Sequence, residues 1–320
     1  MEENQELQIL DKKKITKRVS HVFKWMLLYN ILLMVLAGIL TSLGVADGLE
    51  SLAATLIGVM LMYVCTRKKW PVQPFRKGER KMTGKDFFLL FCLLMIVQLL
   101  TTGIIGLLDA SGVQGTAIDI SYSSVVFFLY VAFTGPLCEE LVYRGFACGK
   151  LREIGKIPAI VLSALAFGLM HANAAQFIVG TLSGLLFGFI FIEYSLWWTI
   201  LLHVINNFLI SALPTVLFEG RVEDATFNII YYSIIGVFAV IGIVMLIKRR
   251  GEAAAYLKDP ANHAAKGTWG AALKSGWFWI FVLLYLALIV LMMAFPEQFS
   301  SMAASAVNQT APEAAAWLLG

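Results

Sequence analysis

The feature that most constrains this chain is the recurrence of long apolar runs, each bounded by polar or charged residues. They fall at about 25–46, 51–66, 86–108, 122–147, 157–172, 175–192, 196–218, 227–247 and 277–295. A helix crossing the bilayer needs about 20 apolar residues, so nine candidates are present, three of them short. Within hydrocarbon an α-helix satisfies its backbone N–H and C=O groups inside one segment. The pattern predicts an all-α fold, a polytopic membrane helical bundle of about eight to nine transmembrane helices. A mean hydropathy of +0.78 and 14% charged residues agree with that, since soluble domains carry about 25%.

The basic residues fix the expected orientation. With the N-terminus on the cytoplasmic side, the inner segments are 1–24, 67–85, 144–156, 193–195 and 248–276. They hold 6, 8, 4, 0 and 6 Lys and Arg, which is 24 of the 25 in the chain. Arg221 alone is left outside, where Asp47, Glu50, Asp109, Asp119, Glu219, Glu223 and Asp224 gather. This follows the positive-inside rule. The basic runs are thereby explained by topology, and no nucleic-acid motif accompanies them. No small-residue cleavage site follows the first apolar run, which reads as a retained span. The four cysteines (Cys65, Cys92, Cys138 and Cys148) form no CxxC pair and read as free, mostly buried thiols.

Ionisable residues at membrane depth are costly and ask for a reason. Here they cluster. Glu139, Glu140 and Arg144 follow Gly135-Pro136, where proline should loosen the helix. Glu140 and Arg144 stand i,i+4, the favoured order for a helical ion pair. Glu139 is turned about 100° away from Glu140. One acid can therefore be neutralised while the other faces a cavity. The next runs bring Phe167 and His171, then His203 and Asn207, each pair one helical turn apart. On an ideal helix Asn206 points elsewhere. Gly180, Gly184 and Gly188 form a small-residue stripe suited to close helix packing.

A carboxylate in a low-dielectric cavity can act as general base toward water. A neutral histidine can orient that water or pass its proton. A second histidine and an asparagine can donate to a developing oxyanion. Together these groups suffice to hydrolyse an amide without a covalent intermediate. The competing readings are a structural polar network and a proton-coupled transporter, although no inverted-repeat partner for the cluster is present.

Glu139-Glu140-x-x-x-Arg144, Phe167-x-x-x-His171 and His203-x-x-x-Asn207 resemble the three signature motifs of the CPBP intramembrane proteases. That family includes type II CAAX prenyl proteases, bacteriocin-processing and immunity (Abi) proteins, and lysostaphin-resistance-protein-like members. The resemblance covers about residues 120–215, a CAAX protease-like catalytic core. It is preceded by a cytoplasmic tail and three anchoring spans (1–119) and followed by two spans, a cytoplasmic linker and an outer tail (216–320). It implies a membrane-embedded glutamic endopeptidase acting on a peptide or membrane-tethered protein. Glu139 would activate water with help from His171, and His203 and Asn207 would stabilise the tetrahedral intermediate. Glu140, Arg144 and Phe167 would hold and orient them. No cofactor is expected; in a zinc-dependent version Glu139, His171 and His203 would be the ligands. The alternative is a non-catalytic bacteriocin-immunity or peptide-binding membrane protein of the same fold. The expected setting is a bacterial plasma membrane, N-terminus cytoplasmic, with the site opening toward the cytoplasmic leaflet. In a simple topology, however, Glu139 and His171 lie toward opposite membrane faces. A shared water then requires a short or re-entrant 157–175 segment.

Overall fold

The computed structural model describes residues 12–67, 75, 77–113, 122, 124–218 and 221–295. The expected outer tail 296–320 and the residues before Lys12 lie outside the described residues. Among the described residues, eight helices are long and apolar enough to cross a membrane. In chain order, α1 is Lys12–Ser42, α2 Leu49–Thr66, α3 Gly84–Ala110 and α4 Val125–Ile154. A shorter helix, α5, covers Lys156–Leu169. Then come α6 Ala174–Glu193, α7 Leu196–Phe218 and α8 Asp224–Lys248. Two short helices, α9 Arg250–Lys258 and α10 Thr268–Ala272, precede the last span, α11 Gly276–Ala294. The all-α polytopic bundle is the observed architecture, and this is an integral membrane protein.

Local sequence sets where helices begin. Thr83, Ser124, Asn173 and Ser275 each accept a hydrogen bond from a backbone N–H in the first turn of α3, α4, α6 and α11. These side-chain oxygens satisfy donors that a helix start leaves open. The fifth apolar run is α5. Its 14 residues rise only about 21 Å, less than the roughly 30 Å hydrocarbon thickness. The chain therefore reverses inside the bundle, through His171 and Ala172, the latter in the left-handed region at φ 53°.

The α5–α6 hairpin is tight because small residues face each other. A Cβ on Gly180 would lie 3.0 Å from the Gly168 Cα, and one on Gly184 would lie 3.0 Å from the Ala164 Cα. On the opposite flank α1 packs against α2 and α11, with Phe23 edge-on to Phe278 and Phe281 at 5.0 and 5.5 Å. The third layer pairs α3 with α8, where Phe91 meets Phe238.

One end of the bundle is laced by charge. Lys156 bridges Glu79 at 2.8 Å and Glu193 at 2.9 Å, Arg152 also binds Glu79, and Tyr256 donates to Glu193. Arg18 pairs with Glu153, and Arg249 pairs with Asp86. Gly78 and Arg80 donate their backbone N–H groups to the Tyr194 and Glu193 carbonyls. A side chain at Gly78 would collide with those carbonyls. The start of α1, the loop before α3, the α4–α5 junction, the end of α6 and the α8–α9 junction thus meet at one face.

Candidate active site

Helix α4 is not uniform. Two stretches, Tyr130–Thr134 and Leu141–Cys148, are wound as π-type turns, and Gly135–Glu140 between them is α-helical. In the first turn the Gly135 N–H reaches back five residues to the Tyr130 carbonyl. The next donor in that register would be residue 136 toward the Val131 carbonyl, but Pro136 has no N–H. The orphaned carbonyl is capped from another helix: Asn207 Nδ2 donates to Val131 O at 3.1 Å. The loosening expected at Gly135-Pro136 is thus a wide turn with an exposed acceptor, and α7 docks on it.

Helix α7 has its own π-type turn, Ile205–Ala212. This changes the angular spacing, and Asn206 does not point away as an ideal helix predicts. Its Nδ2 donates to Asn207 Oδ1 at 3.1 Å, and its Oδ1 accepts from Gln98 Nε2 at 2.7 Å. Gln98, Asn206, Asn207 and Val131 form one chain of hydrogen bonds across α3, α7 and α4. Buried or partly buried carboxamides need such partners. Gln98 lies within an apolar run, and sequence reading passed over it.

Glu140 and Arg144 are both fully buried, with 3.1 Å between Oε1 and the guanidinium. The same oxygen lies 2.8 Å from His203 Nδ1. A carboxylate accepts there, so Glu140 places the His203 proton on Nδ1 and turns Nε2 outward. The Arg144 guanidinium sits 4.1 Å from the Phe167 ring centroid and 5.3 Å from that of Phe187. Two aromatic faces replace much of the water a buried cation loses. Phe187 also stacks on His203 at 4.9 Å, and Phe167 meets both His171 and His203 edge-on. Phe187 joins the site from α6 and carries no signal that marks it among the 22 phenylalanines of the chain.

Glu139 is in a different environment. Its side chain is 25% exposed, and Oε2 lies 3.7 Å from His203 Nε2. It lines a cavity of about 330 Å³ together with His171, His203, Asn206, Asn207 and Gln98. Glu139 and His171 therefore share one space, because short α5 brings its end down to the level of Glu139. His171 is oriented through Nδ1, 2.9 Å from the Phe167 carbonyl. A carbonyl only accepts, so this proton also sits on Nδ1 and leaves Nε2 without it in the neutral ring.

The side chains that could ligate a metal in the cavity are Glu139, His171 and His203. Among the described residues no three His, Cys, Asp or Glu side chains come together as a group able to hold a metal ion. His203 and His171 both commit Nδ1 to protein acceptors and leave Nε2 bare, the orientation in which histidines bind metals. A zinc ion here would need Glu139, His171 and His203 to draw closer together.

Residues 121–209 match the family model described as Rce1-like, type II CAAX prenyl endopeptidase. The match agrees with the CPBP resemblance carried by the three motifs, and this part of the chain, less than half of its length, is similar to that protease family. Neither a curated protein nor a solved structure matches the chain.

Proposed function

We propose that this protein is an intramembrane endopeptidase in which Glu139 is the general base. The observation that carries the reading is the division of labour between adjacent acids. Glu140 is sealed in the core between Arg144 and His203, whereas Glu139 opens into the cavity that both histidines line.

In the proposed reaction a water sits between Glu139 and the unprotonated Nε2 of His171. Glu139 takes one proton as the water oxygen bonds to the carbonyl carbon of the scissile amide. The C=O π pair moves onto oxygen, giving a tetrahedral oxyanion. Two donors are available to it. Asn207 has a second Nδ2–H besides the one given to Val131. His203 is a second donor through Nε2–H in the form that has taken a proton from solvent before the substrate binds, a proton it keeps throughout the cycle, with Nδ1–H still given to Glu140. Protonated Glu139 then returns its proton to the nitrogen as the C–N bond breaks. General-base catalysis of this kind is worth about 10²–10⁴-fold.

The reading is metal-independent and places the protein in a bacterial plasma membrane with a cytoplasmic N-terminus. Its substrate is a peptide or a membrane-tethered protein. Peptide-library cleavage by the purified full chain, with and without a chelator, tests it. Glu139→Gln is expected to lower turnover by about 10²–10⁴-fold while the fold persists, and the chelator is expected to leave turnover unchanged. Undiminished function in Glu139→Gln would return the chain to the non-catalytic peptide-binding alternative.

A further inference from the structure

The bundle is electrically polar along its length. Its charge-laced end collects Arg18, Arg80, Arg152, Lys156 and Arg249. Arg144 lies in the core, Arg221 lies at the other end, and the other basic residues among those described belong to segments that converge on the charged face. The turns at the other end carry Asp47, Glu50, Asp109, Glu223 and Asp224. A cationic end of this kind is the cytoplasmic one.

The cavity is polar in the same axis. Glu139 stands midway along α4. Toward the cationic end the space is closed by Arg144, Phe167 and Phe187, all buried. A separate groove of about 610 Å³ at that end, lined by Arg80, Tyr194 and Arg249 among others, shares no lining residue with the cavity. In the other direction the walls continue through Tyr130, Gln176, Ser211 and Tyr231. Each of these lies within about two turns of the helix end remote from the cationic face.

We infer that the cavity opens on the face opposite the cationic helix ends, so that the proposed peptidase receives its peptide from the extracytoplasmic side. This reverses the expected cytoplasmic opening. The identity of the occupant rests on the peptidase reading; the direction of the opening does not. The walls also define what enters. Gln98, Gln176, Asn206, Asn207 and Ser211 are uncharged donors and acceptors, suited to the main-chain amides of an extended peptide. Glu139 is the acid in the lining, and no Lys or Arg stands beside it there. The fitting substrate is a segment of uncharged side chains leading inward from the extracytoplasmic surface.

Side-specific thiol labelling of the full chain in cell membranes tests the opening. Cys65, the exposed native thiol, is first replaced by serine. Gln176→Cys and Ser211→Cys report on the mouth, and Lys258→Cys, on exposed α9, reports on the cationic end. The probe is a membrane-impermeant sulfonated maleimide. Labelling of a mouth cysteine in intact cells, with Lys258→Cys labelled only after permeabilisation, is the expected result. Labelling of mouth and cationic-end cysteines from one side overturns the proposal, as does the reverse order. So does failure of both mouth cysteines to label even after permeabilisation. None of these readouts requires hydrolysis, so a functional Glu139→Gln would remove the peptidase reading and leave the direction standing.

Discussion

Asn207 supplies the hydrogen bond that Pro136 cannot make. The two residues lie on different helices, and they meet at the Val131 carbonyl, where Asn207 Nδ2 stands 3.1 Å from the oxygen. The proline that widens α4 ahead of the two acids thereby also selects how α7 docks.

This relationship predicts coupling. Asn207→Ala leaves a partly buried carbonyl unpaired, which costs about 1–3 kcal/mol. Pro136→Ala restores an N–H able to serve that carbonyl from within α4. In a double-mutant cycle measured by unfolding in detergent, the proline replacement should relieve part of the asparagine penalty. A coupling of about 0.5–3 kcal/mol is expected for partners in contact, and additivity would separate the two residues.

Glu140 and Arg144 should be far more sensitive than exposed ion pairs. Both are fully buried, so removing one leaves the other charge uncompensated. Glu140→Ala is expected to cost about 3–5 kcal/mol, read as loss of folded protein on heating. Phe187→Leu should cost less, about 0.5–2 kcal/mol, through the ring face it offers Arg144.

The α5–α6 hairpin makes glycine positions unequal. A Cβ at Gly168 would approach the Phe177 carbonyl at 2.6 Å and collide with Thr181, whereas one at Gly103 would meet nothing within 4 Å. Gly168→Ala should destabilise by about 1–3 kcal/mol, as overpacking does. Gly103→Ala should be neutral or stabilising by up to about 1 kcal/mol. Parallel melting curves of the two variants check the contrast.

The charged end should weaken in acid. The hydrogen bond from Lys156, with Arg152 alongside, holds the Glu79 carboxyl below its ordinary value of 4.5. Its folded-state affinity for protons is lower than its unfolded one, so its stabilisation is full above the unfolded value. It is lost as pH falls through the lower folded value. Melting temperature followed from neutral into acid pH should show an acid-side loss in the wild type. That loss should shrink in Glu79→Gln.

Much of this architecture is legible in the sequence, because apolar length and charge side are properties of composition along the chain. The spans, the short fifth helix and the three motifs are all visible there. The contributions of Gln98, Asn206 and Phe187 are not. The π-type turns at Tyr130–Thr134 and Ile205–Ala212 shift angular positions that an ideal helix would fix. They bring Asn206 onto the face of Asn207. Phe187 resembles any lipid-facing phenylalanine until Arg144 and His203 are seen against its ring. The meeting of Glu139 with His171 depends on the depth at which α5 ends, which a hydropathy profile blurs.

Arg144, clamped between Phe167 and Phe187, has one more consequence. A polar hollow at mid-membrane is a hazard to a cell that lives on its transmembrane voltage, since a continuous wet path would let protons and metal cations leak. Here the hollow ends on a buried fixed positive charge wedged between two oily rings. That guanidinium, paired with Glu140, and the two rings close the hollow toward the cationic end. The polar hollow thus stops short of the groove at the cationic end, with which it shares no lining residue.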